Sequence, residues 1–333
     1  MRASDTTSTN DGAAPVGLAS DHPLPTDRGA RRAVLDELFR DRHTRKDALR
    51  ALFDRHMTAA TTIRCVCEDH IVHLDPRDGT ITPAVLEKGH WNRDEFERAI
   101  HILIHAGDFS LGGIFLDVGA NIGTQSLYAL RNGRFGRIVA YEPEPSNAAL
   151  FRLNMEENER AVPVTLRECA VGAASGEGTL ERHASNFGAH RVRTASHSDH
   201  QTDHQTGKHS EEDEATAGDA LRVEIVTLDE DLAALEITPE QVSLVWIDVE
   251  GSEADVIEGA NALVAAGRPL VFELLERDRT RETTAQMLSQ LAAHYTHVAR
   301  LQDGVFGKER MDDAGFDRPH DLPAGDYLVW RRT

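Results

Sequence analysis

The chain has 333 residues, 40% hydrophobic and 28% charged, with a formal net charge of −20 at pH 7. That apolar share suffices for a sizeable core and excludes wholesale disorder, while the acidity disfavours sequence-independent contact with nucleic acid or anionic membrane. Three cysteines cannot build a disulfide framework, no apolar run approaches the roughly 20 residues of a membrane span, and residues 1–12 are too polar for a signal peptide, so a cytoplasmic location is expected.

Residues 1–29, rich in Asp, Thr, Ser, Gly and Pro, read as a disordered arm. Residues 31–57 then turn helical, with Val34 and Leu38, Leu35 and Phe39, and Leu49, Leu52, Phe53 and Met57 making two amphipathic stripes. These stripes predict a lid on the main domain, with a homodimer contact or substrate cap as the alternative. Residues 62–82 read as a β-hairpin, its apolar positions flanking the turn-forming run Asp75, Pro76, Arg77, Asp78, Gly79. Cys65 and Cys67 share one face of that hairpin and are expected to be ordinary half-buried thiols. Asn92 and Glu95 resemble a capping box, and Phe96, Ile100, Leu103 and Ile104 then line one face of a helix that stops at Gly107.

From residue 114 short apolar strands alternate with helices. Strands are predicted at 114–118, 138–141, 164–167, 244–247 and 270–275, with last strands at 297–301 and 327–330. Helices are predicted near 123–132, from 146, at 252–266 and at 281–293. This alternation argues for an α/β fold, a doubly wound parallel sheet with helices on both faces. Residues 196–220 break the rhythm with almost nothing apolar and read as a disordered acidic loop, whose His197, His200, His204 and His209 carry no fixed metal geometry. The expected organisation is an arm at 1–29, a helical and hairpin lead-in or cap at 30–110, and an α/β domain at 111–333 containing the 196–220 insert.

Chemistry concentrates where strands end. The first strand ends in Asp117 and enters a loop holding Gly119, Ala120, Asn121 and Gly123. In an open α/β sheet, ligands bind beyond such carboxyl ends, and glycine lets the backbone approach them. Asp117 offers charge to a cationic group such as an α-ammonium. The second strand ends in Glu142 and Pro143. A carboxylate about 20 positions after the glycine turn suits a ribose diol, as in dinucleotide and S-adenosylmethionine sites alike. A pyrophosphate-cradling G-x-G-x-x-G would need glycine where Asn121 stands, so the turn favours a cofactor without phosphate. The fourth strand ends in Asp248, followed by Glu250 and Glu253. Asp248 and Glu250 suit a general base or a divalent-cation site, whereas Glu253 is equally suited to capping the next helix.

Asp117–Gly123, Tyr141–Pro143, the run Val226, Thr227, Leu228, Asp229, and Ile247–Glu253 together resemble the successive motifs of the FkbM-type methyltransferases, over about residues 81–275. The resemblance implies a class I methyltransferase fold, a seven-stranded sheet whose last inserted strand is antiparallel, and S-adenosylmethionine as cofactor. By the same resemblance Gly119, Ala120, Asn121 and Gly123 surround the methionine part, Glu142 holds the ribose, and Cys169 and Ala170 lie against adenine. Asn186, Phe187 and Gly188 match a small element before the substrate region. Trp246 departs from the pattern, in which a lysine is common. The expectation is an S-adenosylmethionine-dependent methyltransferase acting on a hydroxyl of a sugar or secondary metabolite, a small-molecule or glycan acceptor. Asp248 is the first candidate base, Glu250 the second and His190 a poorer third. No metal ligand set is assigned, and a divalent ion is neither demanded nor excluded. A nicotinamide-dependent oxidoreductase and a non-catalytic S-adenosylmethionine-binding scaffold are the alternatives.

Overall fold

A mixed sheet with helices on its faces organises the computed structural model, which describes residues 62–158, 162–183, 186–188, 190–193, 221–276, 282–303, 308–310 and 322–331. The arm at 1–29, the stripes at 31–57 and the insert at 196–220 lie outside the described residues.

The lead-in opens with the antiparallel pair β1 (Ile63–Val66) and β2 (Ile71–Leu74), in which Ile63 faces Leu74 and Val66 faces Ile71. The reversal therefore falls at residues 67–70, not at the Asp75–Gly79 run as the turn residues suggest. Ile81 instead begins α1 (Ile81–Lys88). The reason is local: the Asp78 carboxylate accepts the N–H of Thr82 at 2.6 Å, and the Thr82 hydroxyl donates to the carbonyl of Asp75 at 2.7 Å. Those bonds satisfy the orphan groups of a helix start. Next, α2 (Arg93–Ala106) ends at Gly107, which takes the left-handed conformation as expected. Its start departs from the expected capping box. Asn92 is itself left-handed, with φ 52°, and its side chain makes no cap bond.

The alternating segment then gives β3 (Ile114–Val118), α3 (Thr124–Asn132), β4 (Arg137–Tyr141), α4 (Pro145–Glu157) and β5 (Val164–Arg167). A smaller element follows, made of β6 (Ala170–Val171), β7 (Gly176–Glu181), β8 (Arg191–Arg193) and β9 (Leu221–Val226). The rest comprises α5 (Leu228–Ala234), β10 (Val242–Ile247), α6 (Glu253–Glu258), α7 (Asn261–Ala265), β11 (Leu270–Leu274), α8 (Glu282–His294), β12 (His297–Arg300), β13 (Lys308–Arg310) and β14 (Gly325–Trp330).

The large sheet runs β13-β12-β14-β11-β10-β3-β4-β5. Its five strands from β11 to β5 are parallel, and β14 is inserted antiparallel between β11 and β12. The expected antiparallel insertion is thus present, and β13 adds an eighth strand at the edge. Both faces are covered, so central strands read as continuous apolar runs; every residue of β10 is buried. Ile114, Leu116 and Val118 face one core with α5 to α8, while Phe115 faces the other, beneath the lead-in and α3 and α4. Trp246 points into that second core, its ring 5.8 Å from Phe96, and so serves packing there.

The four-stranded sheet, ordered β6-β9-β7-β8, has no counterpart in the strands read from sequence. The single helix predicted at 252–266 is two, broken near Gly259, where only glycine fits because a Cβ would overlap the carbonyl of Gly172. The Val226–Asp229 run serves these junctions. Thr227 caps α5 through the N–H of Glu230, and the Asp229 carboxylate accepts from Ala262 at the start of α7 at 3.0 Å. Among the described residues, no helix is long and apolar enough to cross a membrane.

Candidate active site

β4, β3 and β10 are neighbours, so Glu142 and Asp248 leave the sheet at the same edge, on either side of the β3 loop. Two strand spacings put their backbones roughly 10 Å apart. A cavity of about 400 Å³ opens there, between the large sheet's edge and the smaller sheet. Of the predicted residues, Gly119, Asn121, Glu142, Pro143, Cys169, Ala170 and Asp248 line it. Asp117, Ala120, Gly123 and Glu250 do not: Asp117 lies within β3, and the other three belong to the turns beside it.

The β3 loop is held by the sheet itself. Gly119 and Ala120 both donate to the carbonyl of Tyr141 at 3.0 Å, and the N–H of Asp248 donates to that of Val118 at 2.9 Å. Gly119 has φ 83°, and a Cβ on it would overlap the carbonyl oxygen of Asp248. At Gly123, φ 89°, a Cβ would meet the ring of Phe151. Glycine at both places is therefore required by close packing of the protein on itself. Asp117 lies fully buried behind the loop, where its carboxyl accepts from the Ser126 hydroxyl at 2.5 Å. Burial pushes that carboxyl up to about 7.

Glu142 is buried and bound on both oxygens. Oε2 accepts the N–H of Asn121 at 2.8 Å, and Oε1 accepts that of Glu144 at 2.8 Å. Burial raises this carboxyl to about 7, opposed by those backbone N–H groups. Asn121, left-handed at φ 51°, donates through Nδ2 to the carbonyl of Phe187 at 3.0 Å. Cys169 and Ala170 line the cavity between β5 and the smaller sheet, and burial pushes the Cys169 thiol up to about 12. Apolar Val171, Leu180 and Ile225 continue this wall.

Across the cavity the surroundings turn acidic. Asp248 is raised well above the usual carboxylate range by burial, then by Glu273, Glu250, Asp326 and Glu253. One carboxylate oxygen each from Asp248, Glu250 and Glu273 lie within 4.8 Å of one another. Such a cluster suits a proton held between carboxylates, a cationic ligand group, or a divalent ion. Glu253 holds the intervening loop, accepting the N–H of Gly251 at 3.1 Å and that of Val249 at 3.3 Å. Within that loop Glu250 is left-handed, with φ 56°.

Asp78 and Asn147 escape sequence reasoning. The segment around Phe187 borders the cavity and is tied from three sides. Asp78 accepts its N–H at 3.2 Å, and Asn121 and Asn147 donate to its carbonyl at 3.0 and 3.3 Å. The Arg77 guanidinium lies 5.4 Å over its ring. Only the Asp–Pro–Arg–Asp–Gly composition marks Asp78, and it points to a turn. His190 lines the cavity as well, but its Nδ1 accepts the N–H of His183 at 3.0 Å. The neutral ring, held so by burial with its proton affinity lowered to about 4, then carries its hydrogen on Nε2. It enters the cavity as a donor, which argues against a role as base.

The model of the methyltransferase FkbM domain matches residues 117–299. The 2-O-methyltransferase NoeI of Sinorhizobium fredii (strain NBRC 101917 / NGR234) is 26% identical over 196 residues, covering 58% of this chain and 76% of that protein. Among solved structures, the methyltransferase FkbM from Methylobacillus flagellatus KT aligns with TM-score 0.38 at 12% identity, covering 66% of this chain and 44% of that one, so the chain spans under half its length. M. jannaschii TYW2 in complex with AdoMet aligns with TM-score 0.39 at 8% identity, covering 82% and 87%. The family match, over more than half of the chain, favours methyl transfer over the nicotinamide-dependent alternative. The chain belongs to the FkbM methyltransferase family and is an S-adenosylmethionine-dependent methyltransferase.

Proposed function

We propose that the protein methylates a hydroxyl oxygen of a sugar or secondary metabolite, with the cofactor in the cavity between Glu142 and Asp248. The observation that carries this reading is that one cavity joins a hydrogen-bonded acceptor pair at Glu142, an apolar wall and an acidic end. Its volume lies within the roughly 300–1,000 Å³ of small-molecule sites. The name of the NoeI relative, a 2-O-methyltransferase, supports an oxygen acceptor.

The donor set fits S-adenosylmethionine. Glu142 would take the ribose diol, Gly119 and Asn121 the methionine part with Ala120 and Gly123 shaping their loop, and Pro143, Cys169 and Ala170 the adenine. Asp117, shielded behind the loop, would act through Ser126 and the turn. When bound, S-adenosylmethionine supplies a methyl group on a sulfonium, already joined to a good leaving group. The protein's task is then chiefly positioning. Asp248 would accept the acceptor's hydroxyl proton, its proton affinity raised by burial and then by the like charges around it. Glu250 is the second candidate for that proton. His190 Nε2 would donate to an oxygen of the bound molecules. A divalent ion on Asp248, Glu250 and Glu273 is the one second reading that the carboxylate geometry favours.

The test is release of S-adenosylhomocysteine from labelled cofactor across a panel of sugars and macrolide-like alcohols. Methylated oxygen is the expected product. Cofactor binding without turnover on any alcohol, alongside turnover on an amine or thiol, would overturn the acceptor reading. Activity unchanged by a chelator leaves the proton to Asp248 or Glu250 without a metal, whereas a sharp loss assigns the three carboxylates to a metal.

A further inference from the structure

Asn147 stands in the first turn of α4, 2% exposed, on the cavity wall beside Glu142. Its backbone N–H is accepted by the Glu144 carboxyl at 2.8 Å, in a helix N-cap. Its side-chain amide faces two acceptors. Nδ2 donates to the carbonyl of Phe187 at 3.3 Å, and the side chain favours the ionised form of Glu142. A carbonyl and a carboxylate can be faced only by an NH₂, so this environment fixes the amide's orientation. The oxygen is thereby directed elsewhere, and Oδ1 is buried with no hydrogen-bond partner.

A buried acceptor without a donor is costly and calls for an explanation. The near side of the cavity already spends its backbone donors: the N–H groups of Asn121 and Glu144 are both on Glu142. A hydroxyl of a molecule bound in the cavity would supply the missing hydrogen. Each Glu142 oxygen accepts one backbone N–H and the carboxylate keeps room for a further donor, while Asn147 Oδ1 adds an acceptor on the same wall, in the next element of the chain. A vicinal diol, with two donors on adjacent carbons, matches that pair of acceptors. The adenine amino group is the other donor that the nucleoside offers, because Cys169 and Ala170 leave β5, the strand beside that of Glu142.

We propose that Asn147 is a second reader of the nucleoside ribose, its Oδ1 accepting one ribose hydroxyl beside Glu142. This rests on the S-adenosylmethionine site proposed above and adds a specificity-determining residue to it. Asn147 would reject adenosyl compounds lacking that hydroxyl, since its oxygen would then stay unpaired.

The test is a calorimetric cycle on the full chain. S-adenosylhomocysteine, its 2′-deoxy and 3′-deoxy analogues, and an analogue lacking the purine amino group are titrated into wild type and Asn147→Ala. Wild type should bind one deoxy analogue about 5- to 10-fold more weakly than the parent, the size of one neutral hydrogen bond. In Asn147→Ala that penalty should shrink to under about two-fold, while the other analogues keep theirs. Detachment of Phe187 would weaken every ligand alike and leave all penalties intact, which would overturn the proposal. So would loss of the penalty for the amino-lacking analogue, which would make Asn147 a reader of the base. Wild type that fails to bind S-adenosylhomocysteine overturns the cofactor site itself, and this inference with it. Asn147→Ser repeats the cycle with a shorter polar side chain should alanine impair folding.

Discussion

The two walls of the cavity are built on opposite principles. Around Glu142 every anionic oxygen meets a backbone N–H, and the loop that supplies one of them is itself pinned to β4. Around Asp248 carboxylates face carboxylates, and the connecting loop is held in a left-handed turn at Glu250. On the first wall the Glu142 carboxylate is held before any ligand arrives, and Asn147 Oδ1 is the acceptor left for one. The second stores like-charge repulsion that a proton, a cation or a cationic substrate group would relieve. Binding and chemistry are thereby given to different strands of one sheet.

The sharpest way to break this division is Asp248→Asn, which keeps the shape and removes the charge. Loss of a general base should lower kcat by ~10²–10⁴-fold while cofactor affinity changes little. Methyl transfer and calorimetry measured in parallel decide it. A collapse of cofactor binding would make Asp248 part of the binding wall and erase the distinction. Glu142→Ala attacks the other wall. Removing a hydrogen-bonded charge should weaken S-adenosylmethionine binding roughly 10- to 100-fold, and the fold should persist. Unchanged affinity would mean that the ribose lies elsewhere.

Much of this arrangement is legible in the sequence because an open α/β sheet has a rule for it. Asp117–Gly123, Glu142 and Asp248 follow apolar strands, and strand ends converge on one edge. What escapes depends on contacts distant in sequence or on elements too short to show a period. Asp78 reaches Phe187 across 109 positions, and Asn154 holds β2 across 81. β6 has two residues and β8 three, so neither carries an alternating pattern. The Asp75–Gly79 run has the composition of a hairpin turn, but the Asp78 carboxylate captures the start of α1. The free edge of Asn147 follows from its neighbours and has no sequence signal at all.

Gly119→Ala probes the seam where the walls touch. Its positive φ and the overlap with the Asp248 carbonyl predict a loss of roughly 1–3 kcal/mol in stability. Thermal unfolding measures it, and cofactor affinity and turnover should fall together because the two strand ends are forced apart. An unchanged melting temperature would show that the two ends move independently.

The remaining expected effect is a pH dependence of the ligand-free protein. The Asp117 and Glu142 carboxyls titrate at about 7 when folded, against 3.8 and 4.5 for ordinary side chains. Across that interval the native chain binds more protons than the unfolded one, so stability should fall as pH rises toward about 7. Melting curves through this range should show the slope, and Asp117→Asn should flatten it. A slope of the opposite sign would mean that these carboxyls are ionised in the folded protein.

The Asp78 contact carries one more consequence. It lies well upstream of residues 117–299, yet it fastens a segment that borders the cavity. The lead-in is thus not an interchangeable preface to the segment that matches the family. A chimera that joined this chain's residues 111–333 to a front without an acid in the place of Asp78 would keep every motif of the family and still cost Phe187 one of its three ties. Recombination between members of such a family is therefore constrained at a junction that lies outside the motifs by which the members are recognised.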